Sequence, residues 1–329
     1  MSADDVRSVM GSGLADRIAE QLALIEDRLL AEAHGDTPFV TEAAAHIIAA
    51  GGKRFRPGMV VTVAALYGTA AVESVVKAAL AVELTHVASL YHDDVMDEAE
   101  LRRGTVSANR RFENTVAILV GDFLFARASG CVADLGAGYV KLHAETFSRL
   151  VQGQIGEVQG AAAGVSAYDH YLRVIADKTA SLISTSAVYG GMVSGAPAGD
   201  LAILAALGDE IGTVFQLSDD LLDITSTQSG KTPGTDLREG VLTLPTLLVA
   251  ASADPADARL QELIGRPLSD EAEVAEALGL LREHAAMGAA REEIARRAAA
   301  AETHLDALPA GEANDALREL CRSVVSRSA

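Results

Sequence analysis

The sequence predicts an all-α fold from three observations: proline placement, composition and spacing. The chain has 329 residues and eight prolines, and none of them lies between Pro57 and Pro197. A proline inside a helix costs about 3 kcal/mol, so this window is open to long helices. It is rich in Ala, Leu and Glu, the better helix formers. No alternating β-branched run bounded by turn residues reads as a strand.

The elements follow in order. Connections are expected at 51–57, 102–109, 160–167, 190–199, 226–239 and 253–259, where Gly, Pro, Ser, Asn or Asp interrupt the apolar pattern. Between Ala79 and Tyr91, Leu80, Leu84, Val87, Leu90 and Tyr91 recur at helical spacing. The segment Thr115–Ser129 is apolar almost all round and is expected to be a central buried helix. After Pro267, either Ser269 or Asp270 serves as the N-cap of a Glu/Ala/Leu-rich helix. No connection is long or low-complexity enough for an interdomain linker, and no repeat of fixed period appears. The expectation is a single domain over 1–329.

Charge narrows the function. With 27 Lys+Arg against 46 Asp+Glu, the net charge is −19. Such a chain is poorly suited to nucleic acid, whose binding rests on Lys and Arg at phosphates, and is repelled by anionic membranes. Cys131 and Cys321 are too few for a disulfide framework and read as small buried hydrophobes. The N-terminal segment lacks a basic region followed by an apolar one, and charges such as Asp122 interrupt the apolar runs. The expected setting is cytoplasmic, without stable membrane insertion.

Two motifs carry the chemistry. In His92-Asp93-Asp94-Val95-Met96-Asp97, a helix puts Asp93 and Asp97 on one face, with Asp94 turned about 100° away. Asp219-Asp220-Leu221-Leu222-Asp223 repeats the spacing. Clustered carboxylates repel one another, and hard divalent cations relieve that; Mg²⁺ favours one or two carboxylates plus substrate phosphates. Either motif alone also fits a solvated acidic face; the pair, flanked by apolar residues, points to a metal clamp on a polyanion. The few cations are concentrated in turn, in Gly51-Gly52-Lys53-Arg54-Phe55-Arg56-Pro57 and in Arg102-Arg103-Gly104. Guanidinium forks suit phosphate. Lys178 and Lys231 each stand next to a Thr.

Together these motifs resemble the trans-isoprenyl diphosphate synthases, specifically the all-trans-polyprenyl diphosphate synthases. The matching strings are GGKRFRP (51–57), ELTHVASLYHDDVMDEAELRRG (83–104), GDFLFA (121–126), DKTASL (177–182), FQLSDDLLD (215–223) and GKTPGTDLREG through TLP (230–245). The resemblance implies a helical bundle of the isoprenoid-synthase type around a central cavity. It implies head-to-tail joining of isopentenyl diphosphate to an allylic diphosphate, with release of pyrophosphate.

By resemblance, Asp93 and Asp97 ligate two Mg²⁺ ions and Asp219 a third. Asp94, Asp220 and Asp223 act through water or hydrogen bonds. Arg102, Lys178, Thr179, Gln216 and Lys231 match positions that hold the allylic substrate, and Lys53, Arg56, His86 and Arg103 match the isopentenyl diphosphate site. No protein nucleophile is needed, since the double bond of isopentenyl diphosphate attacks. His86 and His92 are alternatives to pyrophosphate as base, with diphosphate binding and helix packing the preferred roles. Val241 stands where many relatives carry a Lys, a departure that shifts weight to Lys231. Small residues one turn before Asp93, Ala88 and Ser89, imply an open tunnel and a long product, hexaprenyl to decaprenyl; Phe147 is a candidate for its floor. The alternatives are a geranylgeranyl diphosphate synthase, a terpene cyclase and a regulatory subunit of a heteromeric synthase. A homodimer is expected, with helix 115–129 as a candidate interface.

Overall fold

The computed structural model describes residues 12–68, 71–225 and 233–326. The helices are α1 (Ser12–Glu32), α2 (Pro38–Ala49), α3 (Phe55–Tyr67), α4 (Val72–Met96), α5 (Ala108–Leu135), α6 (Ala137–Gln159), α7 (Ala167–Ile175), α8 (Ser181–Val193), α9 (Ala198–Thr225), α10 (Thr235–Glu239), α11 (Leu244–Ala250), α12 (Ala258–Ile264), α13 (Glu271–Glu283), α14 (Ala285–Leu305) and α15 (Glu312–Ser326). A π turn, Ala176–Ala180, joins α7 to α8. One short hairpin pairs β1 (Leu101–Arg102) with β2 (Thr105–Val106). Its two-residue strands are too short to leave an alternating pattern, so the sequence shows only a connection there.

By Cα packing the chain divides into two compact units that interleave in sequence. The first comprises Met1–Phe147, Leu182–Ala205 and Leu305–Leu317; the second comprises Ser148–Ser181, Ala206–His304 and Arg318–Ala329.

The first unit is built on α4, whose Val76, Leu80, Leu84, Val87, Ala88 and Tyr91 have no exposed surface. The Tyr91 hydroxyl donates to the Ala43 carbonyl at 2.5 Å, tying α4 to α2. Gly190 and Gly191 lie inside α8 rather than in the expected connection, because α8 runs close over α3: a Cβ on Gly190 would stand 2.6 Å from the Val60 carbonyl oxygen. The expected burial of helix 115–129 is corrected. Ala117, Val120, Gly121, Leu124 and Ala128 are buried, but Ile118 and Leu119 are 42% and 60% exposed. Apolar composition set the expectation, whereas burial depends on which faces find partners. Glu113 interrupts α5 with φ 68° and ψ 159°.

The second unit is organised by the C-terminal part of α9, where Leu207, Ile211, Val214, Leu217 and Leu221 are buried. Asp270, one of the two expected caps, accepts from the Ala272 N–H at 2.8 Å and starts α13. By length and composition alone α5 and α9 could cross a membrane, yet 39% and 50% of their apolar windows are buried within the protein.

Candidate active site

The first aspartate motif sits where α4 ends. The Asp97 N–H bonds the Asp93 carbonyl at 2.8 Å, and Asp97 is the helix C-cap. Asp93 is half-buried and Asp97 exposed. Asp94 turns inward with no exposed surface. It accepts from Arg102 Nε at 2.6 Å and from the Ala108 N–H at 3.0 Å, so it caps α5 and fixes Arg102 at once. Both Asp94 oxygens are thus engaged within the protein. The hairpin turn between β1 and β2 is Arg103-Gly104, with φ of 53° and 76°, the positive pair of a type I′ turn.

That turn aims Arg103 back at the 51–57 loop. Arg103 Nη1 donates to the Ile47 carbonyl at 3.1 Å and also to the Gly51 carbonyl. Gly52 admits it, since a Cβ there would meet the guanidinium at 3.0 Å. Arg54 adopts φ 45° to enter α3 and gives its guanidinium to Glu26 at 2.5 Å and to the buried Glu83 at 3.0 Å. Arg56 Nε is buried and has no hydrogen-bond partner among the described residues. Burial, then Arg103 nearby, pulls its guanidinium down to about 10 against the pull of Glu83. Burial also pushes the His86 imidazole well below 6.5, helped by Arg56, Arg103, Arg54 and Arg102. A pocket that depresses cations and orphans a guanidinium N–H is prepared for an anion. Lys53 lies exposed on the same loop.

His92 does not enter this pocket. Its ring packs over Gly121 on α5, where a Cβ would stand 2.3 Å from Nε2, with Nε2 3.1 Å from the Ile118 carbonyl and 3.4 Å from Asp122. Phe125 packs on His92, and Phe147 packs on Phe125 with ring centroids 4.4 Å apart. Ala88, one turn before His92, is fully buried.

The second aspartate motif lies in the second unit, on α9. Asp220, 5% exposed, accepts from Gln216 Nε2 at 2.8 Å and from the Tyr171 hydroxyl. Burial pushes its carboxyl up to about 6; Asp219 and Asp223 add to the shift, and Tyr171 and Gln216 oppose it. Asp223 accepts from the N–H groups of Thr235 and Asp236 at 3.1 and 3.2 Å, which starts α10. Asp219 is half-buried.

The π turn carries Lys178 and Thr179 between two helices. On α6, Arg149, Gly153 and Glu157 share one face at four-residue spacing. Arg149 Nε bonds Asp177 at 2.9 Å, and Glu157 accepts from Lys178 Nζ. Gly153 lets the backbone pass, since a Cβ would meet the Lys178 nitrogen at 2.4 Å. On α9, Gly212, Gln216 and Asp220 repeat the spacing. A Cβ on Gly212 would stand 2.5 Å from Ala180 Cα, and Gln216 Oε1 accepts from Thr179 Oγ1 at 3.1 Å.

The structure thus joins Thr179 to Gln216, and groups Arg56, His86, Arg102 and Arg103 around Glu83 and Asp94. Lys231 lies outside the described residues. Among those residues, no three His, Cys, Asp or Glu side chains converge to hold an ion unaided. Sequence reasoning grouped Arg54 with the phosphate-directed cations, whereas it pairs with Glu26 and Glu83, and it missed Glu83, Tyr171, Glu157, Gly153 and Gly212. The four-residue rhythms 149-153-157 and 212-216-220 were the available signal.

The polyprenyl synthetase family profile matches residues 37–281, which include both aspartate motifs. The chain is 43% identical over 308 residues to nonaprenyl diphosphate synthase of Mycobacterium tuberculosis, spanning 93% of this chain and 92% of that one. It is similar to the structure of geranylgeranyl pyrophosphate synthase from Corynebacterium glutamicum complexed with calcium and isoprenyl diphosphate (TM-score 0.86, 40% identity, 97% of this chain and 98% of that one). It is also similar to the structure of a decaprenyl diphosphate synthase from Rhodobacter capsulatus (TM-score 0.88, 33% identity, 96% and 98%).

Proposed function

The chain belongs to the polyprenyl synthetase family, and from that premise we propose that it is a divalent-metal-dependent prenyltransferase. It joins isopentenyl diphosphate head to tail to an allylic diphosphate and makes an all-trans polyprenyl diphosphate. One observation carries this reading: α4 bears two phosphate-directed features of opposite charge. Its C-terminal end presents Asp93 and Asp97, while two turns earlier Glu83 and His86 wall the guanidinium pocket with the orphaned Arg56 Nε. A terpene cyclase takes one diphosphate and needs no such second pocket.

The donor set fits a hard cation. Asp94, Asp220 and Asp223 are engaged in the hydrogen bonds above, and Asp93, Asp97 and Asp219 are the carboxylates that the family resemblance assigns to ligation. Carboxylate oxygens suit Mg²⁺ and Ca²⁺. We assign two Mg²⁺ to Asp93 and Asp97 and a third to Asp219, where they would neutralise charge growing on the leaving diphosphate. Arg102, held by Asp94, with Lys178, Thr179, Gln216 and Lys231, would bind the allylic diphosphate. Lys53, Arg56, His86 and Arg103 would bind isopentenyl diphosphate and keep it oriented for attack. His86, disfavoured as a cation by burial and then by four nearby arginines, would hydrogen-bond rather than pair by charge.

The product is proposed to be long, hexaprenyl to decaprenyl, since Ala88 and Ser89 are small and the nonaprenyl synthase is 43% identical. The 40% identical geranylgeranyl synthase keeps the shorter product as the second reading. A homodimer through the exposed Ile118–Leu119 face of α5, a cytoplasmic setting and a single functional domain complete the proposal. The family match runs through both packing units without a break.

The test is incubation of the purified chain with Mg²⁺, farnesyl diphosphate and labelled isopentenyl diphosphate, with chromatographic sizing of the dephosphorylated products. Six or more isoprene units are expected, shortened in Ala88→Phe. Products ending at four units would refute the length argument and keep the chemistry. No incorporation from any allylic starter would favour a cyclase or a regulatory subunit.

A further inference from the structure

We propose that Glu157 is a positioning residue that aims Lys178 at the allylic diphosphate. The inference rests on the assignment of Lys178 to that diphosphate. Lys178 has a flexible four-carbon stem, and holding its ammonium in one direction costs rotamer entropy. Two features of α6 remove that freedom before substrate arrives. Gly153 lets the π turn settle against the helix, with the Lys178 nitrogen 2.4 Å from where a Cβ would be. Glu157, one turn further on the same face, then receives Lys178 Nζ.

The neighbouring contacts fix this geometry rather than merely permit it. Arg149, one turn before Gly153, holds Asp177 at 2.9 Å and the Ala176 carbonyl at 3.3 Å. Thr179 is drawn the other way, to Gln216 on α9. Consecutive side chains of the π turn are therefore caught by two different helices, and Lys178 is left to α6. The Lys178 and Glu157 side chains are 29% and 33% exposed, so the pair is partly open to solvent rather than sealed in the core. An ammonium has three donors, and Glu157 occupies one of them.

A double-mutant cycle tests this with Glu157→Gln, Lys178→Ala and the pair, measuring KM for each substrate, kcat and thermal midpoint. Glu157→Gln is expected to raise the allylic KM about tenfold, the loss of one charge-assisted hydrogen bond. The isopentenyl KM should stay unchanged. The double variant should be no worse than Lys178→Ala, and Glu157→Asp should recover part of the loss. Multiplicative effects would overturn the proposal. So would an equal rise in both KM values with a lowered thermal midpoint, which marks a structural role. A lower allylic KM would also overturn it, showing Glu157 competing with substrate for Lys178. If Lys178→Ala leaves the allylic KM unchanged, the assignment of Lys178 fails and this proposal with it, an outcome distinct from the others.

Discussion

The two aspartate motifs are spelled alike and built differently. In both, the middle carboxylate turns inward, but Asp94 meets a guanidinium and a helix N–H, whereas the partners of Asp220 among the described residues are the neutral Tyr171 and Gln216. The third carboxylates diverge further. Asp97 ends its helix and stays exposed, while Asp223 is consumed in starting α10. Spacing along a helix sets which face a carboxylate occupies; what stands opposite sets its chemistry. The surroundings differ in the same sense. All four described non-glycine residues with positive φ, Arg54, Glu98, Arg103 and Glu113, belong to the unit of the first motif. Close approach through glycine is common to both units, at Gly121 and Gly190 in the first and at Gly153 and Gly212 in the second.

The comparison breaks most sharply at the outer carboxylates. Asp93→Ala and Asp97→Ala should each lower kcat/KM about 1,000-fold, as loss of a group that stabilises the leaving charge does. Asp223→Ala should act mainly on the fold, costing about 1 kcal/mol as a lost helix cap. Steady-state kinetics beside denaturant unfolding separates the two; equal kinetic losses would erase the distinction. Next in size is Gly153→Ala, which forces a methyl to within 2.4 Å of the Lys178 nitrogen. It should cost about 3 kcal/mol by overpacking and raise the allylic KM, read from melting and kinetics on the same sample.

The two regions should also titrate with opposite signs in metal-free protein. His86 is depressed below 6.5, so the folded chain keeps it neutral where the unfolded chain is charged. Its contribution is full above that pH and is lost as pH falls below 6.5. Asp220 is raised from 3.8 to about 6, so it costs stability above about 6 and the cost disappears as pH falls toward 3.8. His86→Gln should remove the first slope and Asp220→Asn the second, in urea midpoints followed from pH 4 to 8 with chelator present. The smallest effect is expected at Glu113, whose φ of 68° and ψ of 159° fall in a region that is essentially glycine's. Glu113→Gly should raise stability by about 1 kcal/mol, after the added chain entropy of glycine is deducted. A lower melting temperature would mean that its side chain contributes more than its backbone costs.

The sequence by itself determined the helical class, the helices around 79–91, 115–129 and after Asp270, both carboxylate motifs and the cation clusters around 51–57 and 102–103. Those signals are local: proline placement, helical period and residue spacing survive in one dimension. It did not show that α5 keeps Ile118 and Leu119 exposed, because apolar character does not say which face finds a partner. Nor did it show that Arg54 is spent on Glu26 and Glu83 while Arg56 Nε stays unpaired, although the two arginines look interchangeable in the string. Only the tertiary structure decided that Gly153 and Gly212 are packing glycines and that Lys178 donates to Glu157. A hydrogen-bond partner or a close approach is chosen among residues far apart in the chain. It depends on where folding brings them, which no local pattern records.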